Sequence, residues 1–167
     1  MQRYSETTLL VLKEAGWTQE RDIFSDLEFP PEKRLFRSAK EIFSSLGLLE
    51  LNFLGCKGPE KIYFDVDNSS TSIGMRKKIF GYRDTDKVDV NMEPDYEERE
   101  NFKWTEIAES YIGPCSRVGF LEDDFGFDIY VDEESKIYLA HGEVPELRSM
   151  DYLDFLNSTI LSHKAMG

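Results

Sequence analysis

The stretch FDIYVDEESKIYLAHG, Phe127 to Gly142, reads as two strands joined by a short acidic turn. Ile129, Tyr130 and Val131 on one side, and Ile137, Tyr138 and Leu139 on the other, are β-branched, aromatic and apolar residues suited to a pleated surface. DEESK, Asp132 to Lys136, is short enough to be a tight hairpin connection. Strands joined so closely run antiparallel, and that choice decides the fold class. Upstream, SRVGFLE (116–122) supplies a third strand, set off from the first two by a second acidic turn.

Outward from these strands, the elements segregate. EERENFKWTEIAESYIG predicts a polar helix from Tyr96, with Phe102, Ile107 and Tyr111 loosely on one side and Gly113 and Pro114 ending it. A final helix is expected from Met150 to about His163, burying Leu153, Leu156, Ile160 and Leu161, with Ser149 or Asp151 as its cap. In LELNFLG, Leu49, Leu51 and Phe53 alternate with Glu50 and Asn52, the period of a strand with one buried face. KIYFDV (61–66) is its expected partner across the turn in LGCKGPEK; from Asp67 to about Pro94, DNSSTS reads as loop, RKKIFGYRD as a short helix or strand, and VDVNMEPD as extended or irregular chain.

Two helices precede that pair. FPPEKRLFRSAKEIFSSLGLLEL places Pro31 in a first turn and Leu35, Phe36, Ala39, Ile42, Phe43 and Leu46 in one stripe. Gly47 is the expected stop, Leu48 the expected cover for Phe43, and Lys33, Arg34, Arg37, Lys40 and Glu41 the expected polar face. In the first helix Ser5 caps, Leu9, Leu12 and Ala15 face inward, and Gly16 supplies a left-handed stop. Trp17 then folds back over Leu12 as a structural residue, and Arg21 and Asp22 are expected as a surface ion pair. Together these elements imply α+β architecture: one domain over residues 1–167, mainly antiparallel sheet flanked by helices.

Bulk composition narrows the function. The chain has 167 residues, enough for one sizeable core, and its apolar runs are far too short to cross a bilayer. No basic–apolar–small leader pattern opens it, which implies a cytoplasmic protein. Cys56 and Cys115 lie outside any CxxC pattern and are expected as free, buried thiols, with a single bridge between them as the alternative. The 20 basic and 33 acidic residues give −13, carried by two segments. Residues 84–109 hold ten acids and three bases, residues 121–134 hold seven acids and no base, and the remainder sums to +1. Such a surface repels nucleic acid and anionic membrane and attracts basic partners.

Catalytic motifs are weak by comparison. There is no GxGxxG, Walker A, GxSxG or HExxH pattern. His141 and His163 have no metal-ligand spacing with cysteine, so structural roles are expected. DVDNSSTSIGMR from Asp65 has the alternating oxygens of a calcium loop, but Ser70 stands where the loop needs glycine and Arg76 where it needs glutamate. LEDDFGFD and VDEES lie in the most polar turns, where a solvated acidic edge outweighs acid/base chemistry. No cofactor or metal is expected. The candidate partner-binding residues are Glu93, Asp95, Tyr96, Glu97, Glu98, Glu122, Asp123, Asp124 and Phe125, an acidic surface with interleaved aromatics.

VLKEAGWTQERDI and AKEIFSSLGLLEL, with YIGPCSRVG, FDIYVDEESKIYLAHG and a closing helix, resemble the SUKH superfamily of immunity proteins, in its third subfamily. The family usually shows proline where this chain has Arg117, and often glycine in the final hairpin turn where it has DEESK. The resemblance implies a non-enzymatic bacterial cytoplasmic protein that neutralises a cognate toxin domain, commonly a nuclease or deaminase. Two other readings are a non-toxin scaffold or regulatory module of the same fold, and a metal-dependent hydrolase working through the acidic loops.

Overall fold

Six strands pair in the order in which the chain makes them. The computed structural model describes residues 3–30, 33–67, 105–123, 126–141 and 144–163. Its elements begin with α1 (Glu6–Glu14), a 3-10 turn (Phe24–Asp26), α2 (Arg37–Leu46), β1 (Glu50–Gly55) and β2 (Gly58–Tyr63). Helix α3 (105–112) leads into β3 (Cys115–Glu122), β4 (Phe127–Asp132), β5 (Ile137–Ala140), β6 (Pro145–Ser149), α4 (Tyr152–Thr159) and β7 (Ser162–His163). The sheet order is β6-β5-β4-β3-β2-β1-β7, antiparallel at every pairing. The α+β expectation holds, with strands β6 and β7 added to it.

The helices divide the sheet into two faces. Val11 and Leu12 of α1, Ile42, Phe43 and Leu46 of α2, and Phe155 and Leu156 of α4 are buried in one cluster with Leu51, Phe53, Ile62, Val118 and Ile129. Each such side chain contributes about 1.5–3 kcal/mol on leaving water. On the opposite face Ala108 of α3 joins Cys115, Tyr130 and Ala140 in a smaller cluster. Ile112 packs there too, while Tyr111, expected inward, is 59% exposed.

Helix α1 ends as its sequence predicts. Ser5 Oγ accepts from the Thr8 N–H at 3.1 Å, and Gly16 has φ +100°. The Trp17 N–H reaches the Leu12 carbonyl and the Gly16 N–H the Lys13 carbonyl, the paired closure of a left-handed glycine stop. The inward face is Thr8, Val11 and Leu12, with Leu9 only partly buried. Trp17 packs against the core, meets the Tyr4 ring edge-on at 5.5 Å, and donates Nε1–H to Ser45 Oγ at 3.0 Å.

Arg21 does not act through a pair with Asp22. Its Nη1 and Nη2 donate to the Ser45 and Gly47 carbonyls at 2.9 and 2.8 Å, and the Ile23 N–H donates to the Ser44 carbonyl. A guanidinium therefore satisfies carbonyls that a helix end leaves open, where its charge also suits the dipole. Helix α2 starts at Arg37, later than its apolar stripe suggests, with Phe36 at the cap position and no side-chain cap. Gly47 has ordinary φ −52°; Leu48, at φ 65°, is the left-handed residue, and it is 51% exposed rather than folded over Phe43. Gly47 is required for another reason, since a Cβ there would sit 2.5 Å from the Phe43 carbonyl oxygen.

A buried charge cluster ties the sheet's middle to the segment before α2. Arg117 is fully buried; Nε donates to Asp128 at 2.8 Å and Nη1 to Asp65 at 2.6 Å. The β3–β4 register shifts between Arg117 and Gly119, and a Cβ on Gly119 would run into the Tyr63 carbonyl oxygen. Ordinary alternation puts Arg117 and Val118 on opposite faces, and the bulge leaves Val118 as the extra residue of β3, buried in the main core. Burial disfavours the Arg117 charge, but Asp65 and Asp128 more than offset it and hold its pKa above the ordinary value. Lys33, expected on the polar face of α2, instead donates Nζ–H to the Asp67 and Arg117 carbonyls at 2.8 and 2.7 Å.

The DEESK turn closes without glycine because Asp132 organises it. Asp132 Oδ1 accepts from the Glu134 and Lys136 N–H groups, both at 2.9 Å, and Ser135 takes the left-handed conformation at φ 74°. Tyr138 Oη–H donates to Asp132 Oδ2 at 3.0 Å. Asp128 and Asp132 are thus structural, a correction to the solvated edge expected of residues 121–134. Helix α4, capped by Asp151 as expected, stops at Thr159; Leu161 is 57% exposed, and His163 lies in β7 beside Phe53. The expected 96–104 part of the preceding helix lies outside the described residues, as does most of 67–95.

Two outcomes follow for stability. Arg117→Met leaves Asp65 and Asp128 buried without their counter-charge and should cost about 3–5 kcal/mol by urea unfolding. The triple variant that also carries Asp65→Asn and Asp128→Asn should recover most of the loss; no recovery would show that the cluster acts through packing alone. Lys33 has its pKa pushed down to about 7, by burial first and Arg117 second, against the pull of Asp65, Asp67 and Asp128. Between about 7 and its ordinary 10.5 the unfolded chain holds more protons, so stability should rise with pH across that window. Lys33→Met should flatten this rise in urea midpoints taken from pH 7 to 10; parallel curves would show that Lys33 stays charged in the fold.

Candidate binding site

At the open end of the helix-covered face, the sheet leaves a cavity of about 320 Å³. The β1–β2 turn and β6 both line it, although β2 and β6 stand four strand spacings apart. Across a flat sheet that separation is roughly 20 Å. The sheet must therefore curl around the cavity, with the last turn of α4 as the remaining wall.

The floor comes from alternation along the strands. Leu121 pairs with Phe127 and Glu60 pairs with Phe53, a residue of the main core, so all point to the helix-covered side. Leu139 completes an apolar floor. Thr159, last residue of α4, forms a wall, and the exposed Val144, Leu147 and Leu161 form an apolar rim. Asp123, Lys57, His141 and Arg148 supply charge and polarity at the mouth.

Glu60 is the unusual group. It is 7% exposed, and the Lys57 backbone N–H donates to its Oε2 at a long 3.5 Å. Burial raises its pKa, the Lys57 N–H and the Lys57 and Arg148 charges lower it, and Asp123 adds to the rise. Gly55 makes the room: a Cβ there would overlap the Glu60 carboxylate. Thr159 Oγ1 is buried without any hydrogen-bond partner. A hydroxyl and a carboxylate left short of donors can receive them from a ligand.

The sequence-predicted partner-binding residues divide. Glu122 ends β3 and Asp123 follows it; Asp123 reaches the cavity while its Oδ1 accepts from the Gly126 N–H at 2.9 Å. Glu93, Asp95, Tyr96, Glu97, Glu98, Asp124 and Phe125 lie outside the described residues. His141 follows β5, places Nδ1 2.8 Å from the Gly126 carbonyl oxygen, and stacks edge-on with Phe127 at 5.6 Å. Among the described residues no group of three or more His, Cys, Asp or Glu could hold a metal ion, and no helix is long and apolar enough to cross a membrane. Glu60 and Thr159 were invisible to sequence reasoning: each is an ordinary polar residue until a curled sheet brings their elements together.

Compared with known proteins, the chain matches no family model, no curated protein and no solved structure.

The two cysteines should be chemically distinct. Both are free, but Cys56 is exposed at the cavity, against the buried state expected of it, while Cys115 is fully buried and burial pushes its thiol up to about 12. Titration with an aromatic disulfide at pH 8 should modify one thiol in the native protein and two in urea. Two fast equivalents without denaturant would contradict the packing around Cys115.

Proposed function

We propose that this protein is a bacterial immunity protein of the SUKH kind, a non-enzymatic cytoplasmic binder that neutralises a toxin domain with a basic surface. Nuclease and deaminase domains are the favoured partners, because their substrate grooves are basic and an acidic protein can fill them. The supporting observation is the concentration of charge: 84–109 and 121–134 sum to −14 while the rest sums to +1. Part of the second segment is spent internally, since Asp128 pairs with Arg117 and Asp132 holds its own turn. Asp123, which follows β3, lines the cavity and carries the acidic segment to it.

Charge reversal of Glu97, Glu98, Asp123 and Asp124 to lysine should slow association with the captured partner and flatten its salt dependence. Folding should change little. Reversal of Arg37 and Lys40, which are exposed on α2, should do much less. Stopped-flow association across a salt series measures both. An unaltered rate and salt slope in the acidic variant would remove this face from the interface.

A further inference from the structure

We propose that the cavity beneath the β3–β4 turn is a binding site for an alkyl guanidinium or alkyl ammonium group, the end of an arginine or lysine side chain. Three features carry it. The floor of Leu121, Phe127 and Leu139 suits an aliphatic stem. Glu60, 7% exposed, receives only a long backbone hydrogen bond from Lys57 N–H, so its carboxylate keeps acceptor capacity toward the cavity. Thr159, 5% exposed on the adjoining wall, has an acceptor with no partner.

The sign of the ligand follows from Glu60. An anion entering the cavity would meet the mostly buried Glu60 carboxylate, and a neutral apolar group would supply no donor to Glu60 or to the unpartnered Thr159 hydroxyl. A guanidinium or ammonium supplies several N–H donors and the compensating charge at once. Asp123 and Glu146 add negative charge toward the mouth, while Lys57 and Arg148 oppose them and keep the affinity for a free cation modest. The assignment of this group to a protein side chain rests on the protein-binding reading above; the cation chemistry rests on the cavity alone.

Arginine amide, with norleucine amide as the neutral control, tests the chemistry on the full chain by titration followed in amide NMR spectra. Arginine amide should perturb residues of the cavity with millimolar affinity, and norleucine amide should not. Glu60→Gln should weaken the cation by about tenfold or more, as expected when a buried charge-assisted contact is lost. Val144→Trp, at an exposed rim position that leaves the core intact, should block it as well. Equal binding of both amides, no binding of either, or a Glu60→Gln variant that folds and binds unchanged would each overturn the proposal. The two readings fail separately. Cation binding with partner association insensitive to acid reversal overturns the acidic-face reading alone, and salt-steered association with an unresponsive cavity overturns this one alone.

Discussion

A guanidinium with no exposure to solvent sits at the middle of the sheet, and much of the structure is arranged to make that tolerable. Arg117 needs counter-charge and acceptors, and it draws them from β4 through Asp128 and from the chain just beyond β2 through Asp65. Three adjacent stretches of backbone are thereby held in one register. The same site reaches across to Lys33, whose ammonium is anchored on the Arg117 and Asp67 carbonyls. Hydrophobic replacement of such a cluster is often neutral for stability, whereas loss of one member is costly. Its structural consequence is therefore the pairing it specifies more than the energy it adds.

The bulge beside Arg117 extends that constraint to the rest of the sheet. Its extra residue, Val118, is buried in the main core, and at 119 β3 lies so close to β2 that only glycine fits. From there the strands curl around α4, and the cavity lies where the helices run out. Asp123, just after β3, stands beside it. On the proposed function, long-range attraction and a local pocket for a basic group would occupy the same end of the molecule, the first acting on approach and the second after contact.

Much of this was legible locally. The alternation of Leu49, Leu51 and Phe53 gave β1 its buried face, and Ser5 and Gly16 bounded α1 closely. Where expectation and structure differ, a distant partner decided. Gly47 looked like a left-handed stop, yet the crowding of the Phe43 carbonyl passed that role to Leu48. Arg21 looked like half of a surface pair, yet the open carbonyls of α2 lie nearer to its need. Strand β6 carries three exposed residues between two buried ends, so no clean period marks it. Its existence depends on β5 offering an edge.

The sequence by itself determined the class of fold, the antiparallel meander and the concentration of negative charge, because periodicity, turn chemistry and side-chain charge are properties of neighbouring residues. Tertiary structure alone decided which charges are spent inside and which stay outside. Asp65, Asp128 and Asp132 differ little from Asp123 in the one-dimensional string, and only the positions of Arg117 and the turn N–H groups separate them. It also decided that Glu60 and Thr159 face the same cavity, since they lie on elements 99 residues apart (159 − 60) that meet only when the sheet curls. Contacts across that distance depend on the path of the whole chain, which no local pattern encodes.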